Sequence, residues 1–372
     1  MAGAAKSKPP TDKAVRRARL RKLRKALDAR GCDAVLITNS VDIRWLAPFH
    51  GDDSWAYVDR KHFVIISDFR FEEDLASVAG IADVHIRKGS IVDAAANLIT
   101  GARPRALAVQ AERLSIATRD ALAKRVGARR LRPQPSVFEP LRAIKDELEI
   151  AAIRKALALQ QRAFNTVVRG LKPGMREIEI AATLEHAMRS LGAQGASFPT
   201  IIAAGANGSR PHHEPTRKTL RAGRPLLIDW GARASEYCGD LTRTITFGAW
   251  PRPLGDVYKI VLEAQRAGIE AIKPGVPCCE VDRAARSVIE RAGYGERFGH
   301  SLGHGVGLDV HESPRLASTS DTPLHKGMVV TIEPGVYLPG VGGVRIEDVA
   351  LVGASGPTLL SSLPRSLKWA TK

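Results

Sequence analysis

Apolar and polar positions change their rhythm several times along this chain. DAVLIT at 33–38 and HFVIISD at 62–68 are short runs rich in β-branched residues, and both predict strands. SIVDAAANLIT at 90–100 has the composition and spacing of a helix. Leu20, Leu23 and Leu27 form one stripe of a segment otherwise filled by Arg and Lys, which predicts an amphipathic helix. This alternation over residues 14–130 predicts an α/β domain. LRPQPSVFEP at 131–140 carries three prolines and predicts a linker. A helix is expected to open in KDELEIAAIRKALALQQRAF, where acidic residues come early, as the helix dipole favours.

The second half repeats itself. Residues 160–193 and 264–294 each read as a helix ending in Lys-Pro-Gly followed by a second amphipathic helix. RPLLIDWGA and EYCGDLTRTITF follow the first copy, GMVVTIEPGVYL and GGVRIEDVALV the second. Two helices then two strands, twice over, predict a pseudo-twofold α+β domain with a site between its halves.

Those four strand-like segments share an oddity. Asp229 ends the run PLLID, Asp240 sits in YCGDLTRTI, Glu333 interrupts VVTIEPG, and Glu347 interrupts GVRIEDVAL. Carboxylates are disfavoured in strands, and burying one without a partner is expensive. Four of them suggest a shared cation; their charge equals that of two divalent ions. GHSLGHGVGLDVHESPR at 299–315 supplies His300, His304 and His311, and an imidazole among oxygen ligands favours Mn²⁺, Co²⁺ or Zn²⁺ over Ca²⁺ and Mg²⁺. The alternative pairs the acids with Arg233, Arg243 and Arg345. A second histidine pair, His212 and His213, lies in the proline-flanked loop SRPHHEPT, where a stiff backbone suits the wall of a site. GHSLG also matches the G-x-S-x-G elbow of serine hydrolases, which requires a strand before the serine and a helix after it.

The chain has 372 residues, more than one ordinary core, so two domains are expected. No apolar run approaches the ~18–20 residues that span a bilayer, and the basic N-terminus lacks the apolar stretch of a secretory signal. Four cysteines without a C-x-x-C pair fit a reduced, cytoplasmic setting. The net charge of +17 is diffuse, although residues 1–31 hold eleven Lys or Arg against two Asp. A solvated helix face with a tail is expected there, and nucleic-acid binding is not.

Taken together, these motifs resemble the pita-bread metallopeptidases: methionine aminopeptidase, aminopeptidase P and prolidase. IDWGA, DLTRT, GHGVG, TIEPG and RIED stand in the family's order with the expected neighbours. The resemblance implies that Asp229, Asp240, His304, Glu333 and Glu347 hold two divalent metals, with Mn²⁺ the first expectation and Co²⁺ or Zn²⁺ possible substitutes. It implies a pita-bread catalytic domain at 139–372, with helices outside a curved antiparallel sheet. DAVLITNSVDIRWLAPFHG and LRAIKDELEIAAIRKA resemble a creatinase-type N-terminal domain and the entry to the catalytic one, which implies an α/β domain at 1–138. PHHEPT and VHESPR look like the Xaa-Pro branch. The implied activity is hydrolysis of the bond preceding proline by a metal-bridging hydroxide, in Xaa-Pro dipeptides or longer peptides. Glu333 is then the proton carrier, His212 the support for the leaving side and His311 the stabiliser of the oxyanion. His300 and Arg345 are the residues near the proline end. A homodimer is implied, and no membrane partner. A metal-free relative, creatinase-like or nucleic-acid-binding, is the alternative, but such members lose ligands that this sequence keeps.

Overall fold

A computed structural model describes residues 11–372; the start of the basic tail lies outside the described residues. The chain divides into two compact units, with the boundary after Arg142.

In the first unit, strands β1 (Ala34–Ile37), β2 (Trp55–Asp59), β3 (Phe63–Ser67), β4 (Asp83–Ile86), β5 (Leu107–Gln110) and β6 (Leu131–Gln134) form one mixed sheet. Their order is β4-β3-β2-β1-β5-β6, with β1–β5, β5–β6 and β3–β4 parallel. β1 and β3 are buried at every position, the near-continuous apolar run of strands covered on both faces. Ile99 from the helix Ile91–Ala102 and Leu122 from Ile116–Val126 pack against Leu36, Tyr57 and Leu107. The helix Asp12–Ala29 buries Val15, Leu23 and Leu27. Its other basic residues face outward, but Arg16, Arg19 and Arg24 turn inward to backbone carbonyls, Arg19 to that of Trp45 at 2.8 Å. One expectation is corrected. The proline-rich stretch at 131–140 is not all linker, because its first four residues are β6. Pro133 is tolerated there because β6 is an edge strand, paired only with β5.

The second unit opens with the helix Glu147–Gly170, started by a capping box of Asp146 and Glu149. The helix Glu177–Ser190 follows, then β7 (Gly195–Ala196), β8 (Ile201–Ala204), β9 (Leu226–Trp230), β10 (Ala232–Ala234), β11 (Tyr237–Cys238) and β12 (Leu241–Ile245). Helices Leu254–Ala271 and Cys278–Arg291 start the second half. β13 (Gly303–Gly305), β14 (Glu312–Leu316), β15 (Val329–Ile332), β16 (Gly335–Leu338), β17 (Gly342–Arg345), β18 (Asp348–Val352) and β19 (Pro357–Leu359) complete it. The helix pair followed by antiparallel ladders occurs twice, which is the pseudo-twofold α+β architecture the repeat predicts. Two ladders carry the site, β8-β9-β12 and β14-β13-β15-β18-β19.

The halves are joined where β12 meets the start of β18. The Glu347 N–H donates to the Thr242 carbonyl at 3.1 Å. The fully buried Arg243 guanidinium donates to the Thr242 and Glu347 carbonyls and, at 2.9 Å, to the Asp348 carboxylate. Arg243 therefore serves the backbone that carries Asp240 and Glu347, and not those acids themselves.

Asp229 alone of the four acids lies within a strand. Asp240 immediately precedes β12, Glu333 immediately follows β15, and Glu347 falls between β17 and β18. The expectation that each sits inside a hydrophobic strand is corrected accordingly. Pro334 has no N–H to donate and ends the pairing after Glu333. Such breaks let side chains leave the strict alternation of a strand and converge.

Candidate metal centre and catalytic cleft

Asp229 is fixed by pairing on both sides of β9, opposite Ile201 and Thr242. Asp240 enters from the start of β12, His304 from β13, Glu333 from the end of β15 and Glu347 from the β17–β18 junction. These elements come from both halves of the unit. Three overlapping groups have ligand atoms within 4.8 Å of one another: Asp229, Asp240 and Glu347; His304, Glu333 and Glu347; Asp240, His304 and His311. All five residues expected from the sequence are thus brought together, and His311 joins their edge.

The hydrogen bonds assign roles to individual atoms. His304 Nδ1 is 3.1 Å from the Gly305 carbonyl, so Nδ1 carries the proton and Nε2 faces the acids. Nε2 stands 3.3 Å from Glu333 Oε1 and 3.7 Å from Asp240 Oδ2. Asp229 Oδ2 accepts from Arg345 Nη2 at 2.6 Å, while Oδ1 is buried without a hydrogen bond. Glu347 Oε2 accepts from Thr242 Oγ1 at 2.8 Å, while Oε1 is likewise orphaned. Each of these carboxylates is oriented through one oxygen, and its other is left without a partner. Buried polar atoms are normally satisfied, so two orphaned oxygens within one acid cluster fit a divalent cation.

The electrostatics agree. Burial, together with the other acids, pushes Asp240 and Glu347 well above the usual carboxylate range. Burial also raises Asp229, although Arg345 opposes it. Glu333 behaves differently: burial works against its charge, but the hydrogen bond and the charge of His304 hold it below the usual value. Conversely, burial works against protonating His304, and Glu333 outweighs it. A cluster of buried acids only partly compensated by Arg345 and His304 is a familiar sign of a functional site.

The remaining histidines divide. His311 is exposed, and its ring meets His304 edge-on with centroids 4.3 Å apart. Although the residue is exposed, partial burial of its ring, then the nearby His304, lowers its pKa, so it can act as a neutral donor. His212 is exposed in the loop at 209–216 and lies near enough to His311 to influence its charge.

His300 is held from both sides. Its Nδ1 donates to the Ser301 carbonyl at 2.8 Å, and its Nε2 accepts from the Tyr337 hydroxyl at 2.9 Å. That hydroxyl accepts from Arg345 Nη1 at 2.8 Å, and Arg345 continues to Asp229. Burial pushes the Tyr337 phenol up to about 12, which keeps it a donor to His300. His300 and Arg345 are therefore linked through a residue that sequence reasoning missed. Tyr337 reads as an ordinary strand aromatic, and only its partners reveal it. Thr242 and Thr331 were missed for the same reason: Thr331 Oγ1 accepts from the His304 N–H at 3.0 Å. The serine-hydrolase reading fails, because Ser301 is followed by strand β13 and not by a helix.

A cavity of about 280 Å³ lies against Lys218, Arg221 and Arg224 and shares none of these residues. No helix among the described residues is long and apolar enough to cross a membrane. All four cysteines are free and buried.

Residues 19–144 match the creatinase/prolidase N-terminal domain, and residues 151–354 match metallopeptidase family M24. The chain is 35% identical over 349 residues to the uncharacterized peptidase YqhT of Bacillus subtilis, covering 94% of this chain and 99% of that one. The solved Xaa-Pro dipeptidase of Bacillus anthracis superposes with a TM-score of 0.91 at 37% identity, over 95% of this chain and 99% of that one. The X-Pro aminopeptidase of Thermotoga maritima gives a TM-score of 0.85 at 34% identity, over 92% and 99%. The protein is a metallopeptidase of family M24, in the branch that carries a creatinase/prolidase domain ahead of its catalytic domain.

Proposed function

We propose that the domain at 139–372 hydrolyses the peptide bond preceding proline, using two divalent cations, Mn²⁺ first, held by Asp229, Asp240, His304, Glu333 and Glu347. One observation carries the reading: two orphaned carboxylate oxygens are buried among further acids and one correctly oriented imidazole nitrogen. When bound, such a pair of cations lowers the pKa of water and polarises a carbonyl. Relatives of similar length support the substrate, since their names specify Xaa-Pro dipeptides or X-Pro peptides.

The chain's own groups supply the rest. Glu333 is held ionised by His304 and is less deeply buried than Asp240 or Glu347, so it can take a proton and deliver it to the leaving nitrogen. His311 presents a neutral N–H to the oxygen that gains charge. His212 supports the leaving side from its loop. His300 and Arg345 shape the proline end through Tyr337. Because the hydrogen bonds of both already reach protein atoms, we assign them to fixing the wall of the site. The four free cysteines support a reduced, cytoplasmic setting, and we propose a homodimer, which light scattering would test.

Assays of Gly-Pro, Ala-Pro and a longer Xaa-Pro peptide with Mn²⁺, Co²⁺ and Zn²⁺ test the reading. Cleavage before proline that is abolished by chelation is expected. Turnover indifferent to chelation, or no preference for proline, would refute it. The dipeptide-to-peptide ratio then separates dipeptidase from aminopeptidase.

A further inference from the structure

Glu177 is a buried carboxylate that the reading above does not use. It opens the helix Glu177–Ser190, with none of its side chain accessible to solvent. Its Oε1 accepts from the Ala204 N–H at 2.7 Å and from Asn207 Nδ2 at 2.8 Å. Its Oε2 accepts from the Thr216 N–H at 2.9 Å, the Thr216 hydroxyl at 2.6 Å and His213 Nε2 at 2.9 Å. Five donors exceed the roughly four lone-pair sites of a carboxylate, so no acceptor capacity is left over. The helix N-terminus adds a favourable dipole. These bonds hold Glu177 below the usual range, although burial opposes them.

What this carboxylate grips is the loop that carries His212. Thr216 and His213 are its far side; Ala204, the end of β8, and Asn207, in the short 3-10 turn Gly205–Ser209, lead into it. His213 is buried, while His212 beside it is exposed. On the other side of His212, the Pro211 carbonyl faces the Arg345 guanidinium at 3.5 Å. His212 therefore sits between two pins, one on Arg345 and one on Glu177. A histidine on an unpinned loop would sample many orientations, and misplacement by about 1 Å can cost on the order of a hundredfold in rate.

We propose that Glu177 and His213 are positioning residues: the buried carboxylate holds the imidazole of His213, and that hold aims His212 at the acid cluster. The inference rests on the role assigned to His212 above. His213 is not a spare copy of its neighbour but its anchor.

The test is a double-mutant cycle on the full-length, Mn²⁺-loaded enzyme with Ala-Pro. His213→Ala and His213→Gln are each made with His212 present and with His212→Ala. His213→Ala should lower kcat by about 10- to 100-fold with KM and bound metal unchanged. His213→Gln, which keeps a donor near the Nε2 position, should recover most of the loss. In the His212→Ala background, His213→Ala should have less than about a twofold further effect, because only an anchor acting through His212 becomes silent there. An equal loss in both backgrounds, or no loss with His212 present, overturns the proposal. So does full activity of His212→Ala, which would remove the underlying role as well. Hydrogen exchange separates the two failures without substrate. Loop 209–216 should lose amide protection in His213→Ala and keep it in His213→Gln; unchanged protection overturns the anchor by itself.

Discussion

Replacing Asp240 by Asn should move the metal-free and metal-loaded proteins in opposite directions. Asp240 shares a space of 4.8 Å with Asp229 and Glu347 and is 4% exposed. Two unit charges about 5 Å apart repel by about 3 kcal/mol at an effective dielectric near 20. Partial protonation caps that cost, so Asn should stabilise the chelated protein by about 1–3 kcal/mol near pH 7.5. For a domain of this size that is roughly 2–10 °C in Tm. The sign follows from the raised pKa. An acid whose folded pKa lies above its unfolded value destabilises the fold at high pH, and the penalty disappears as pH falls below the unfolded value near 3.9. The gain from Asn should therefore shrink between pH 7.5 and 5. With Mn²⁺ the order reverses. A ligand at a hundred times its Kd adds about 2.7 kcal/mol per site, and Asn forfeits part of that. Differential scanning calorimetry with EDTA and with Mn²⁺ reads both arms. A variant that melts lower in EDTA, yet gains as much from Mn²⁺ as the wild type, would refute the reasoning.

Other consequences follow from the same geometry. His311→Ala should lower kcat by about 100- to 1000-fold while metal analysis shows full occupancy; lost metal would reassign His311 as a ligand. Gly303→Ala places a Cβ about 2.0 Å from the Thr331 carbonyl oxygen, beside His304, so it should destabilise the fold by about 1–3 kcal/mol or more and weaken metal binding, as thermal melts and Mn²⁺ titration would show. Glu177 has a lowered folded pKa, so its contribution to stability is present above about pH 4.5 and lost as pH falls through the lower folded value. The stability gap between wild type and Glu177→Gln in urea melts should accordingly be full at pH 7 and narrow below pH 4.5.

The sequence announced the acids because four carboxylates in apolar surroundings are costly, and that cost is visible without a structure. The start of the helix Glu147–Gly170 was legible from its early acidic residues, although the capping box that Asp146 and Glu149 form there shows only in the structure. Residues whose chemistry is ambiguous were not legible. Tyr337 and Thr242 look like ordinary strand formers, and only the bonds to His300, Arg345 and Glu347 set them apart. Glu177 reads as the acidic first turn of an amphipathic helix, which it is, and its grip on a loop 36 residues away has no local signature. Strand β6 was missed because three prolines dominate its neighbourhood, and sequence does not reveal which strand will be an edge. The competing arginine pairing was partly right: Arg345 binds Asp229, while Arg243 turns to Asp348 and to backbone carbonyls.

The central claim is that buried acids and one imidazole are held together by a pair of doubly charged ions. Equilibrium dialysis of the full chain against ⁵⁴Mn²⁺, followed by counting, asks this without any substrate. The account predicts two ions per chain in the wild type and fewer than two in Glu347→Gln and His304→Ala, with each variant still folded by circular dichroism. Stoichiometry below one in the folded wild type, or two ions retained in both variants, would contradict it.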